Sequence, residues 1–424
     1  MDHTSRDQKP ESVSSETLIS SEKDLMTPSG IAPDNSTESQ VLDQDSIRLA
    51  EKVDAIRQAC NLQDLDALAS YATSKGGFLQ DELRRLAWPI LLQCDDNVTE
   101  SNLLSSDELP PHVDEEQVQL DVNRSFVYYP KCSEDELSSK KSDLSAVIKQ
   151  VLRNYPMLCY FQGYHDIAQV LLLVLGHKES ALAVSRVSLF RIRDYMLPSL
   201  SPAVKHLQLI PAIIEAVDQP LYHHLAGIRP FFALAATLTL YAHDIQEYSD
   251  IARLFDFLLA WEPVVSIYLF AAIILSRKKE LLEIPLDEPE MLHFTLSKLP
   301  CPLDLDGLIS SAVQLFGNHP PESLPSKIWW KIPQCSVLKT SRNIFDAQSA
   351  DTAIKLFQQQ ARQLRNEERR KKVLRFLWSH RRTIGSVAVA VFIGGMSIWI
   401  RKKGLDSSIL SYMDRLKSAF KGYL

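Results

Sequence analysis

Tyr160-Phe161-Gln162-Gly163-Tyr164-His165-Asp166 follows a segment whose apolar residues Leu144, Val147, Ile148, Val151 and Leu152 recur at intervals of one, three and four. Those intervals place them on one stripe of a packed α-helix, so the seven residues are predicted to form a loop carried by helical structure. Val53, Ile56, Cys60, Leu62, Leu65 and Leu68 repeat the pattern upstream. Lys75-Gly76-Gly77 reads as a helix stop, and Leu197-Pro198-Ser199 and Ile284-Pro285 as later boundaries. Alternating strand patterns and hairpin signals are sparse, Asp306-Gly307 sits between helical-looking stretches, and no fixed-period repeat is visible. The fold class expected is all-α.

Upstream of that loop stands Val118-Gln119-Leu120-Asp121-Val122-Asn123-Arg124. It carries an arginine where the other segment carries a glutamine. Hydrolysis of a nucleoside triphosphate needs a cation to stabilise charge on the transferring phosphoryl group and an amide to orient the attacking water, and an activating protein supplies both in trans in some systems. Arg124 and Gln162 are the candidates for those groups. Taken singly each segment is a weak signal; their order and context make it specific.

Leu83-Arg84-Arg85-Leu86-Ala87-Trp88-Pro89-Ile90-Leu91-Leu92 resembles the first motif of the TBC-domain Rab GTPase-activating proteins. Val118 to Arg124 resembles their second motif, Ile-x-x-Asp-x-x-Arg, and Tyr160 to Gly163 their third, Tyr-x-Gln-Gly. Arg253 to Ala260 and Pro263 to Leu275 are also similar to this family, so the resemblance covers roughly residues 50 to 330. Val118 replaces the usual isoleucine, and Tyr164-His165 stands where many members have Met-Asn. The Tyr164-His165-Asp166 extension, with an apolar segment near the C-terminus, is most similar to the membrane-anchored TBC subfamily of the early secretory pathway.

The resemblance implies a TBC helical domain that acts on a GTP-bound Rab as a GTPase activator, not as an enzyme with its own substrate site. It implies Arg124 and Gln162 as the two fingers, with the Rab holding the GTP and Mg²⁺ and no cofactor on this chain. Asp121 is expected to orient the Arg124 loop, Tyr160 and Gly163 to support the site or contact the GTPase, and Arg84 and Trp88 to brace the fold. Asp166 is expected to hold the Gln162 loop or contact the GTPase. Two alternatives use the same sequence differently: a catalytically inactive, membrane-anchored Rab-binding scaffold, and a multi-span membrane protein.

Composition excludes other classes. The 424 residues carry a net charge of −7, so no basic surface for nucleic acid is implied, and 45% hydrophobic content suffices for a large core. The six cysteines form no C-x-x-C pair and read as reduced cytosolic thiols. No P-loop, G-x-S-x-G or H-E-x-x-H motif occurs, and His223-His224 lacks a neighbouring ligand set, so neither nucleotide nor metal binding is expected.

The domain plan read from the sequence has five parts. Residues 1–46, rich in Ser, Asp, Glu, Thr and Pro, form a disordered tail, and Met1-Asp2-His3-Thr4 does not open a signal peptide. Residues 47–330 form the TBC domain, and 331–382 a linker and basic juxtamembrane helix. Three internal apolar stretches, Ile167 to Gly176, Phe231 to Ala242 and Val264 to Leu275, fall short of the ~17–25 residues of a membrane span and read as core helices. Residues 383–400, uncharged and bracketed by Arg381-Arg382 and Arg401-Lys402-Lys403, form a transmembrane helix. At ~27 Å it matches the thinner bilayer of the endoplasmic reticulum. Residues 401–424 form a short amphipathic tail. The expected location is the endoplasmic reticulum or early Golgi membrane, with the catalytic domain cytosolic.

Overall fold

The computed structural model describes residues 35–94, 103–343, 346–380 and 391–399, with a few isolated positions beyond. All regular structure among the described residues is helical, as the apolar periodicity requires. The chain divides into two units, Met1–Glu51 and Lys52–Leu424. Helix α1, Asn35–Leu62, crosses the division. It begins inside the segment read as a disordered tail; the remainder of that segment, 1–34, lies outside the described residues.

The second unit contains the core. Helix α2, Leu65–Thr73, starts at Asp64, whose carboxylate accepts from Ala67 N at 3.0 Å. The stripe expected over 53–68 is divided by this start: Ile56, Cys60 and Leu68 are buried, whereas Leu62 is exposed where the chain turns through Gln63 at φ 52°. Helix α3, Asp81–Leu91, buries Leu83, Arg84, Ala87, Trp88 and Leu91. Between α2 and α3, Gly76 and Gly77 adopt positive φ, which makes the predicted stop.

Helix α4, Glu115–Asn123, precedes α5, Glu134–Asn154. A capping box opens α5: Ser133 Oγ accepts from Glu136 N at 3.4 Å and Glu136 Oε2 from Ser133 N at 3.1 Å. Its predicted stripe, Leu144, Val147, Ile148, Val151 and Leu152, is buried as expected, and packs on α6, Tyr164–Phe190. Among the described residues α6 is the one helix long and apolar enough to cross a membrane, but two thirds of its apolar window is buried in the protein. It also breaks at Gly176, with φ 77°. Both facts fit the core reading of Ile167 to Gly176.

Val265–Ser276 is likewise a buried helix. Phe231 to Ala242 is not, and the expectation of a core helix there needs correction. A 3₁₀ turn over Pro230–Ala233 passes into the short helix Leu234–Leu238, and Leu240 and Tyr241 then take positive φ. The side chains of Thr237 and Thr239 bond back to Ala233 O and Ala235 O at 2.7 and 2.9 Å. The tight reversal that follows is closed by Tyr241 N on Ala236 O. Apolar content marked this stretch as buried but did not set its period.

The core also runs past residue 330, where the linker was expected to begin. Ile332, Val337 and Leu338 are buried, as are Ala353, Phe357 and Leu364 on the helix Ala350–Ser379. A buried polar tie secures this region: Asp194 accepts from Ser336 Oγ at 2.6 Å and from Val337 N at 2.9 Å. Beyond Glu367 every described side chain of that helix is exposed. The apolar positions of 328–338 are broken by turns and Pro333, so no period betrayed them.

Candidate functional site

Arg124 sits at the C-cap of α4, where its backbone leaves the helix with φ −101° and ψ 4°. Helix α4 turns Val118, Asp121 and Val122 inward and leaves Arg124 outside, its side chain 68% exposed. Val118 fits the core completely, so the missing methylene relative to isoleucine is accommodated. Arg124 Nη2 donates to Asp121 Oδ1 at 2.7 Å. Asp121 is 1% exposed, and its other oxygen accepts from the Tyr160 hydroxyl at 2.9 Å. A buried carboxylate with three donors, the third being Gln117 Nε2 at 3.1 Å, is a fixed anchor for the arginine stem.

Gln162 lies just before α6. Its neighbour Phe161 is buried, whereas Gln162 itself is exposed and makes no side-chain hydrogen bond among the described residues. Gly163 is the N-cap of α6 at φ 99°, and a Cβ there would meet Thr239 Cγ2 at 2.5 Å. Glycine is therefore required twice, for backbone conformation and for space. Tyr160 N donates to Asp114 Oδ2 at 2.9 Å, and the Tyr160 and Tyr164 rings meet edge to face. Tyr164 itself is buried and its hydroxyl pairs with Ser188 at 2.7 Å, so this departure from the Met-Asn pattern is a core feature.

Arg124 and Gln162 line one depression of about 200 Å³, together with Asp121, His165, Asp166 and His243. The structure thus gathers Arg124, Asp121, Gln162 and Asp166 into one place from two helices and the loop before the second. Tyr160 joins them through Asp121. Arg84 and Trp88 are not part of this depression. They bond the fully buried Asp256, Arg84 through Nε at 3.0 Å and Nη2 at 3.2 Å, Trp88 through Nε1 at 2.8 Å. Phe78 N adds a fourth donor at 3.0 Å. Burial pushes the Asp256 carboxyl up, and Arg84 pulls it back toward the ionised form. Both residues brace α3 against the helix Tyr248–Ala260 and have no route to a partner's surface.

Sequence reading missed His243, Gln169 and Asp114. Gln169 Oε1 accepts from Phe126 N at 2.9 Å and pins the chain just beyond Arg124. His243 reaches the site from the reversal after Leu238, 77 residues from its partner Asp166 in sequence. No local pattern signals such a contact. Burial lowers the proton affinity of His165, against the pull of Asp166 and Asp121. His243 moves the other way, raised chiefly by its bond to Asp166. Burial, reinforced by Asp121, drives the Tyr160 phenol far up, so it stays a neutral donor. Among the described residues no cluster of three or more His, Cys, Asp or Glu suits a metal.

The Rab-GTPase-TBC domain family model matches residues 81–282, which contain the whole depression. The chain is 33% identical to GTPase-activating protein gyp10 of Schizosaccharomyces pombe over 309 residues, 72% of this chain and 82% of that one. It is 35% identical to TBC1 domain family member 20 of Homo sapiens over 283 residues, 65% and 69% of the two chains. Among solved structures, the Chlamydomonas flagellar RabGAP TBC domain aligns over 67% of this chain and 97% of its own, with a TM-score of 0.49 and 14% identity. The chain belongs to the TBC-domain family of Rab GTPase-activating proteins.

Proposed function

We propose that this activator stimulates its Rab by presenting Arg124 and Gln162 together to the GTP held by that Rab. The observation that carries the reading is their shared depression: both side chains are exposed, and each is mounted on buried structure. The guanidinium neutralises charge developing on the transferred phosphoryl group, and the amide orients the attacking water. GTP and Mg²⁺ belong to the Rab, and this chain contributes no cofactor. An inactive scaffold needs neither exposed group, nor a buried carboxylate committed to the arginine.

The site of action we propose is the membrane of the endoplasmic reticulum or early Golgi, in early secretory traffic. Supporting this are the Tyr164-His165-Asp166 extension and the uncharged run 383–400. Residues 381–390 and 400 lie outside the described residues, but 391–399 are helical. Within that helix Val391, Phe392, Ile393, Met396 and Ile398 are between 45% and 69% exposed and lie all round it, a surface suited to lipid and not to water. Single-turnover GTP hydrolysis over a panel of GTP-loaded Rabs tests the activity and identifies the partner. Stimulation of no Rab by the intact chain overturns the catalytic reading in favour of the scaffold.

A further inference from the structure

Two histidines share one carboxylate at the edge of the depression. Asp166 Oδ1 lies 3.2 Å from His165 Nε2, and Asp166 Oδ2 lies 3.0 Å from His243 Nδ1. From His165 the contacts continue inward. Its Nδ1 is 3.2 Å from the Tyr160 hydroxyl, which donates to Asp121 Oδ2, and Asp121 Oδ1 receives Arg124. An unbroken chain of side chains therefore joins the arginine anchor to the first turn of α6, directly after Gln162. Asp166 N also donates to Gly163 O at 3.1 Å, so a shift of Asp166 is felt at the glutamine loop as well.

We propose that His243 is a positioning residue for the stimulated hydrolysis: it clamps Asp166, and through His165, Tyr160 and Asp121 it keeps Arg124 set beside Gln162. The inference rests on the roles proposed above for those two fingers. Its physical basis is the accounting of partners on Asp166. The Asp166 side chain is 15% exposed and the structure divides its two oxygens between the two imidazoles. Removing His243 leaves one oxygen without its donor and concentrates the negative charge on His165. His165 then changes its tilt and proton occupancy, and with them the hydrogen bonds that Tyr160 and Asp121 pass on to Arg124. Hydrolysis is sensitive to such displacements, because a shift of about 1 Å in a catalytic group costs on the order of a hundredfold in rate.

His243 itself is 63% exposed at its side chain and is packed into nothing that its loss would collapse. The groups facing it are Asp166 and His165 from α6, Asp244 from its own loop and, around the same depression, Arg124 and Tyr129. The carboxylates dominate, which is why its proton affinity rises above the ordinary 6.5. The clamp is complete with His243 charged and weakens as pH rises through that raised value.

The test is steady-state stimulation of a Rab by the full-length chain, with His243→Ala and His243→Asn compared against the unaltered protein and Arg124→Ala. Asparagine places Nδ2 near the position of the imidazole Nδ1, so it donates to Asp166 without titrating. Expected for His243→Ala is a fall in kcat of about ten- to a hundredfold, with KM and melting temperature unchanged. His243→Asn is expected to recover most of kcat and to lack the decline expected of the unaltered chain as pH rises through the raised value of His243. If His243→Ala melts early, the pH profile of His243→Asn decides. Native kcat in His243→Ala overturns the proposal, as does a loss confined to KM, which marks a direct contact with the GTPase. Failure of asparagine to rescue also overturns it, because a donor restored to Asp166 then does not restore the geometry. Full activity of Arg124→Ala sinks the finger reading and this one with it; an inactive Arg124→Ala beside a fully active His243→Ala sinks this one alone.

Discussion

Arg124 reaches back onto Asp121, Nη2 to Oδ1 at 2.7 Å, although the guanidinium is mostly in solvent and the carboxylate is buried. The pair holds an exposed cation by an unexposed anion, so the arginine is aimed without being consumed by solvent-screened contacts. A finger supplied in trans is worth ~10³–10⁵ in rate. Arg124→Ala is expected to abolish most stimulation while leaving the protein folded, because the side chain packs little and Asp121 keeps Gln117 and Tyr160 as donors. Arg124→Lys should not restore it, since an ammonium lacks the planar fork that bridges two oxygens. Single-turnover hydrolysis with the purified variants measures both, and near-native rates in a folded Arg124→Ala protein end the assignment.

Gln162 makes a prediction about the partner. If its amide orients the water, a Rab whose own active-site glutamine has been replaced remains a substrate of the intact protein. Gln162→Ala should then fail on that Rab and on the unaltered one. The opposite pattern, a resistant Rab variant with an active Gln162→Ala, rules out a glutamine supplied by this chain.

Gly163 links the fold to the finger beside it. Gly163→Ala places a methyl 2.5 Å from Thr239 Cγ2 and asks an L-residue to hold φ 99°, so both clash and strain act at once. Strain of this kind costs about 1–3 kcal/mol. The expected outcome is a lowered melting temperature together with a loss of stimulation as Gln162 is displaced. Adding Thr239→Ala removes the clash but not the strain, and should recover only part of each loss.

Asp256 carries stability alone. It takes Arg84, Trp88 and the Phe78 amide, and it is fully buried. Asp256→Ala leaves the Arg84 cation in the core without its main partner, a change that costs about 3–5 kcal/mol. Urea denaturation should register this. An unchanged midpoint shows that Arg84 relaxes to water and that the brace is dispensable.

Deletion of 383–400 is expected to release the protein from membranes without altering its activity on soluble Rab. Activity on lipid-attached Rab in cells should fall, because anchoring raises the effective concentration of the pair. Replacing Val389 and Val391 by arginine should act similarly, at ~2.5–3.5 kcal/mol per residue on insertion scales. Alkaline carbonate extraction of the intact chain decides whether it is a span; a chain that washes off is not inserted.

Sequence by itself determined the helical class, because the three-and-four spacing of residues such as Leu144 to Leu152 follows from local geometry and survives into the core. It also singled out Arg124 and Gln162, whose neighbours Asp121 and Gly163 lie within three residues and carry readable constraints. Tertiary structure alone decided the rest. That Arg84 and Trp88 serve Asp256, far from the depression, depends on a contact 172 and 168 residues distant in the chain. The short reversal at 239–241 in place of a helix, and the arrival of His243 on Asp166, likewise arise from packing across long loops. Burial of Ile332, Val337, Leu338, Ala353, Phe357 and Leu364 belongs to the same class. Periodicity records which face of a segment is apolar; which other segment covers that face is set by the total packing, and no single stretch of residues encodes it.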